Sequence, residues 1–317
     1  MSDRSCWWFV SDLHLDGRAA DVRDVGTRFP GFVRNVVIGY DCPFRHLVLL
    51  GDIVEVDGYG NGQAGESTAL AQLDQVAARF EEVFASLRAC ADAGVVVHMV
   101  CGNHDGALAR PVVWARFREL VLGQSAGQVD GQGLRLHPWF LHVPGLIYAE
   151  HGHQHHDLNR IPLVPSADQR RTGVAERLAG EAEYSALVAL AAAEGDLPVD
   201  VALALHNVSR FTPVSAGART ARRVVRRRLG ATDPDAYMVS AADRIDRIFH
   251  DSGRRAFCYV FGHTHREALT AIPRSRSYYA NSGTWSTYVA EPPDPNLQRF
   301  PYLVVSSEGG HNRIRLA

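Results

Sequence analysis

The sequence predicts an α/β fold, and three observations predict it. Short apolar runs of strand length recur along the chain, each closing on polar residues with Gly or Asn among them. Between them, apolar residues recur at spacings of three and four, the mark of amphipathic helices. Strand and helix signals alternate over residues 1–153, as in chains that build open sheets with ligands at the strand ends.

The first strand is expected at Trp7-Trp8-Phe9-Val10, running into Ser11-Asp12-Leu13-His14. Leu47 to Leu50 gives the second, closing on Gly51-Asp52. One amphipathic helix then follows, carried by Leu70, Leu73, Val76, Ala77, Phe80, Val83, Phe84 and Leu87 and ending before Gly94. Val95 to Val100 forms a strand that ends in Cys101-Gly102-Asn103-His104-Asp105, with His98 expected to face a neighbouring helix. Residues 111–122 form a helix with Pro111 in its first turn, where a missing N–H leaves no bond unmade. Leu146 to Ala149 leads to Glu150-His151-Gly152-His153, and His155 and His156 are expected on the surface of the loop beyond. The strand signal then lapses. Helical patterns occupy stretches near 174–194, 218–229 and 235–250, so residues 154–256 read as a helical cap inserted into a single domain spanning 1–317. Strands resume with Phe257 to Phe261, closing on Gly262-His263-Thr264-His265.

Composition narrows the function classes. With 317 residues, 46% hydrophobic and 21% charged, the chain is long and apolar enough for a sizeable core, which excludes a disordered tail. A formal net charge of -2 disfavours a dedicated nucleic-acid coat. All 33 basic residues are Arg, so Schiff-base chemistry, a P-loop lysine and a kinase lysine are excluded. The five Cys are scattered without a C-x-x-C pair, against a disulfide framework or a structural zinc site. Together with the lack of a signal-like leader or a membrane-length apolar run, this places the expected location in the cytoplasm. Fifteen His are left to explain.

Several of them close strands in a fixed order: Asp12-x-His14, Gly51-Asp52, Gly102-Asn103-His104-Asp105, His151-Gly152-His153 and Gly262-His263-Thr264-His265. Imidazole, carboxylate and amide oxygen together suit borderline divalent metals such as Mn, Fe, Zn or Co rather than calcium. In an extended segment, alternate side chains share one side, so Asp12 with His14, and His263 with His265, can reach one ion. Any one of these motifs alone is weak, whereas five in order are strong.

The series resembles the calcineurin-like metallophosphoesterase superfamily, with its D-x-H, G-D, G-N-H-D/E, H and G-H-x-H motifs; Asn281-Ser282-Gly283-Thr284-Trp285 looks like the strand-end segment that often follows. The resemblance implies an αββα fold, two packed mixed β-sheets flanked by helices. It implies two divalent ions, manganese first, with iron, zinc, cobalt or nickel as other candidates. Asp12, His14 and His265 would hold one; Asn103, His151 and His263 the other; Asp52 would bridge them. His104 would be the catalytic imidazole, positioned by Asp105. A carboxylate has the two oxygens and the charge that a bridge between cations needs, and a paired metal site suits phosphoryl transfer.

The branch is less defined. Gly51-Asp52-Ile53-Val54-Glu55-Val56-Asp57-Gly58 departs from the G-D-x-V-D-R-G of phosphoprotein phosphatases. The cap resembles that of UDP-2,3-diacylglucosamine hydrolase, a branch that usually carries Arg where His104 stands. Arg222 and Arg226, with Arg219 and Arg223, fall on one helical face and could grip a second phosphate or an anionic membrane surface; an ordinary solvated face fits them equally. His153 is a candidate substrate contact. The expected function is hydrolysis of a phosphodiester or pyrophosphate bond of a small molecule by metal-bound hydroxide. The alternatives are a phosphomonoesterase, a nuclease, which the net charge does not favour, and a non-catalytic binding scaffold, which predicts broken ligands.

Overall fold

A computed structural model describes residues 3–17, 23–56, 65–123, 133–155, 236–273, 275–286 and 300–317. The strands are β1 (Ser5–Val10), β2 (Phe44–Leu50), β3 (Val96–Val100), β4 (Leu134–His137), β5 (Phe140–Val143), β6 (Ile147–Glu150), β7 (Cys258–Phe261), β8 (Glu267–Ala271), β9 (Tyr278–Ser282), β10 (Leu303–Glu308) and β11 (His311–Leu316). The α-helices are α1 (Arg23–Phe32), α2 (Glu66–Arg79), α3 (Glu81–Asp92), α4 (Pro111–Leu122) and α5 (Ala236–Asp251). The strands form two mixed sheets, in the orders β11-β10-β1-β2-β3-β4 and β5-β6-β7-β9-β8.

Alternation along each strand explains the layering. Cys6, Trp8 and Val10 on β1, with Leu47 and Leu49 on β2, pack on one side with apolar residues of α1 to α4. Their neighbours Trp7, Phe9, Val48 and Leu50 point the other way and meet Ile147, Ala149, Val260 and Ala280 of the second sheet. The far side of that sheet buries Tyr148, Tyr259, Phe261 and Tyr279 against Met238, Ile245 and Phe249 of α5. Helices, sheet, sheet and helix therefore stack as the resemblance implies. Asp246 fastens the last layer: this buried carboxylate accepts from Tyr259 Oη at 3.0 Å and Ser277 Oγ at 3.1 Å and pairs with Arg255. Among the described residues no helix is long and apolar enough to cross a membrane.

Two expectations need correction. The single helix expected from Leu70 to Leu87 is two helices, because Phe80 leaves helical conformation (φ -112°, ψ 41°). Its ring turns inward to lie against Gly26 of α1, where even a methyl group would come within 3.3 Å. The apolar periodicity runs on across this one-residue break, which hid it. His98 does not face a helix. It sits between the sheets in a row of imidazoles, with His46 Nδ1 3.1 Å from its Nε2 and His137 Nε2 3.0 Å from its Nδ1. Trp7 stacks on His46 at 3.6 Å. The cap helices near 174–194 and 218–229, with Arg222 and Arg226, lie outside the described residues, as do His156 and most of 154–256; only the helix expected near 235–250 is seen, as α5.

The imidazole row predicts acid sensitivity. Burial, with Arg135 nearby, lowers the His46 pKa to about 4, and burial, with His137, His46 and Arg135 beside it, lowers that of His98 well below normal. Below pH ~6.5 the unfolded chain takes up protons that these folded rings refuse, so stability falls as pH drops from ~6.5 towards ~4 and is intact above that window. For His46 the loss is at most a few kcal/mol, at ~1.4 kcal/mol per unit. Urea denaturation at pH 7 and pH 4.5 should show a smaller drop in His46→Phe, which keeps the stack on Trp7; an equal drop would exclude the row as its source.

Candidate metal centre

Seven of the strands run parallel, β1 to β4 in one sheet and β6, β7 and β9 in the other, apart from their antiparallel neighbours. The segments leaving β1, β2, β3, β6 and β7 meet where the two sheets abut. Ser11 Oγ bonds Ser282 Oγ across the gap at 2.7 Å, and His151 Nδ1 bonds the Leu50 carbonyl at 2.9 Å. Asn281 braces the rim by donating to the Gly262 carbonyl at 2.7 Å and accepting from the Gly283 amide at 2.9 Å. Thr284 Oγ1 donates to the Asp12 carbonyl at 2.8 Å.

Asp12, His14 and His265 come together in one group, and Asp52, His151 and His263 in a second, with ligand atoms in each within 4.8 Å of one another. Within the first, His265 Nε2 lies 3.1 Å from Asp12 Oδ1 and 3.2 Å from His14 Nε2. Within the second, His151 Nε2 lies 3.1 Å from Asp52 Oδ2. That same oxygen is 4.0 Å from His14 Nε2, so Asp52 faces both groups. Gly102 makes room for it: a Cβ there would stand 2.2 Å from Asp52 Oδ1.

The reason for this convergence differs from the one inferred above. Asp12, His14, Asp52, His263 and His265 are the non-glycine residues with positive φ among the described residues, at 54°, 48°, 53°, 68° and 59°. They are left-handed kinks, not alternate positions of an extended strand. Each costs roughly 1–2 kcal/mol in an L-residue, a burden that persists where the site over-determines the geometry. All five strained residues are ligand candidates, which core packing does not require.

The electrostatics are those of a compensated cluster. Burial alone would raise the Asp12 pKa, yet His265, His151 and His14 hold it well below the carboxylate range. Asp52 is likewise lowered against the effect of burial, chiefly by His151. His151 rises to about 9 despite burial, through Asp52 and Asp12, and His14 rises well above its usual value through Asp12 and Glu55. Even so, Asp12 Oδ1, Asn103 Oδ1 and His151 Nε2 are buried without a hydrogen-bond partner. Buried polar atoms left unbonded cost about 1–3 kcal/mol each, and lone pairs converging in this way fit a divalent cation.

His104 stands beside the cluster, its Nε2 4.0 Å from Asp52 Oδ2 and its backbone N–H donating to Asp52 Oδ1 at 2.8 Å. Its expected partner needs correction. Asp105 accepts from the backbone amides of Ile53 at 2.7 Å and Gly102 at 2.6 Å, so it ties two strand-end loops together instead of holding the ring. Burial and the nearby Asp52 raise its pKa to about 7. The carboxylate on the ring is Glu55, with Oε2 2.7 Å from His104 Nδ1 and Oε1 2.6 Å from His14 Nδ1. Sequence reasoning gave Glu55 no role. Pairing continues beyond the kinks, with His14 N–H bonded to the Asp52 carbonyl at 2.9 Å and Glu55 N–H to that of Leu15 at 2.9 Å, and this brings Glu55 beside His14. His153 is buried beside the second group, and His155, expected at the surface, is buried and bonded through Nε2 to Glu150.

No protein-family model and no curated protein sequence matches the chain. Among solved structures, similar chains include a predicted phosphoesterase from Streptococcus pneumoniae, with 10% identity over 99% of this chain and 88% of that one, at a TM-score of 0.35. Vacuolar protein sorting 29 from Cryptosporidium parvum has 10% identity over 99% and 97%, at 0.39. Phosphopantetheinyl hydrolase from Mycobacterium tuberculosis has 17% identity over 90% and 91%, at 0.29. Scores this low carry no inference about chemistry, which rests on the residues of the site itself.

Proposed function

We propose that the chain is a metal-dependent phosphoester hydrolase acting on a phosphodiester or pyrophosphate bond of a small molecule. The observation that carries this reading is the coincidence of two Asp/His groups, shared through Asp52, with buried ligand atoms that no hydrogen bond satisfies. Asp12, His14 and His265 would hold one cation and Asn103, His151 and His263 the other, with Asp52 between them. Those cations would supply Lewis acidity and concentrated positive charge to a phosphoryl group. The chain's own residues then set the geometry. Glu55 holds the His14 and His104 rings by their Nδ1 atoms, so their Nε2 atoms are left for the cluster side. Glu55 and Asp52 raise the His104 pKa against its partial burial, which favours a protonated ring able to give its proton to a departing oxygen. Such a proton would help a departing alkoxide more than an already acidic phenol.

Protein stripped of metal and reloaded with Mn²⁺ should bind two equivalents by elemental analysis and hydrolyse bis-(p-nitrophenyl) phosphate faster than p-nitrophenyl phosphate. The reverse preference would favour a phosphomonoesterase. Absence of both metal and turnover would remove the hydrolase reading.

A further inference from the structure

Beyond β6 the chain makes a buried turn, His151-Gly152-His153-Gln154-His155, closed by the His155 N–H bonding the Gly152 carbonyl at 3.0 Å. Gly152 (φ +100°) presses this turn onto the second sheet and α5, since a Cβ there would stand 2.7 Å from Met238 Cε and 3.0 Å from Phe261 Cδ1. The turn thereby carries His153 back beside the second group: its ring centre lies 5.5 Å from that of His151 and 6.4 Å from that of His263.

His153 is 5% exposed, and its two nitrogens differ. Nε2 lies 3.1 Å from the side-chain amide nitrogen of Gln154, while Nδ1 is buried without a partner. An amide nitrogen can only donate, so with the Gln154 amide in this orientation Nε2 accepts and the ring's single proton belongs on Nδ1. The fold thus keeps a buried N–H donor without an acceptor on a ring packed beside His151 and His263. A cation cannot satisfy it, because a protonated ring nitrogen offers no lone pair. An anionic oxygen can.

We propose that His153 is a substrate-binding residue whose Nδ1–H donates to a non-bridging phosphoryl oxygen bound at the His151/His263 side of the centre. This rests on the hydrolase reading and adds to it the group that orients the phosphoryl moiety on one side. Gln154 fixes the tautomer that makes the ring a donor.

The test uses the full chain loaded with Mn²⁺, with metal counted by elemental analysis and inorganic phosphate binding followed by calorimetry. His153→Phe keeps the ring's bulk without a donor, and His153→Asn keeps a donor near the place of Nδ1. Both variants should retain wild-type metal. Phosphate affinity should fall ~10–100-fold in His153→Phe, the range for a hydrogen bond to a charged group, and stay within a few-fold of wild type in His153→Asn. Loss of metal from His153→Phe would make His153 a ligand and overturn the proposal. So would unchanged phosphate affinity in that variant, which would leave a purely structural histidine. Wild-type protein that takes up no metal would overturn the hydrolase reading and this proposal with it, whereas metal and phosphate binding in wild type with no response to His153→Phe would overturn this one alone.

Discussion

Asp52→Asn should lower kcat/KM by about a thousandfold and weaken metal binding in both groups at once. The carboxylate of Asp52 faces His151 Nε2 at 3.1 Å and both His14 Nε2 and His104 Nε2 at 4.0 Å, so it addresses both groups and the His104 ring at once. Asn preserves the shape but turns one lone-pair oxygen into an N–H donor and removes the charge that offsets two cations. A metal's Lewis acidity is worth several kcal/mol, or about a thousandfold in rate. His265→Asn is the contrasting variant: it touches the first group alone and should release one metal while the second stays. Elemental analysis after gel filtration, beside steady-state rates, separates the two. If Asp52→Asn kept both metals and its rate, Asp52 would not be shared.

Asp12, His14, Asp52, His151, His263 and His265 were legible in the sequence because each follows an apolar run and serves no packing purpose there. Parallel strands bring such ends together whatever the register details, and the structure does so. The manner of convergence was not legible. A D-x-H pair reads as strand alternation, whereas the left-handed φ of Asp12 and His14 is set by the meeting of two sheets, which no local pattern encodes. Glu55 stayed hidden for a related reason. Its partners are 41 and 49 residues away, and its side of the chain depends on pairing that resumes only after the kinks at residues 12, 14 and 52. The role of Asp105 came from the resemblance, whereas the carboxylate at that turn meets backbone amides instead. The layered core was implied by the resemblance, and the continuous apolar runs of β1 to β3 agree with burial on both faces. The edge strands β8 and β11 were not legible, being half exposed and lacking a continuous apolar run.

On a phosphate ester with an alkoxide leaving group, His104→Ala should retain both metals and lose ~10²–10⁴ in kcat, the range for a positioned general acid. Glu55→Gln should cost less, ~10–100-fold, as expected for a residue that orients others. A Gln has one oxygen to offer two Nδ1–H groups, at 2.6 and 2.7 Å, and must present an N–H to one of them. The two losses should not multiply, because Glu55 acts on the leaving group through the His104 ring; its action on His14 is the part that survives in the double variant. The pH profile gives the sign. Burial lowers the His104 pKa, but Glu55 and Asp52 together raise it, so the proton-bearing ring persists to higher pH than in free histidine. Without the Glu55 charge that pKa falls, and the alkaline limb of the kcat profile should move to lower pH in Glu55→Gln. In Asp105→Asn, whose side chain meets the amides of Ile53 and Gly102, the limb should stay where it is. A shift in Asp105→Asn with none in Glu55→Gln would return His104 to Asp105 and leave Glu55 a partner of His14 alone.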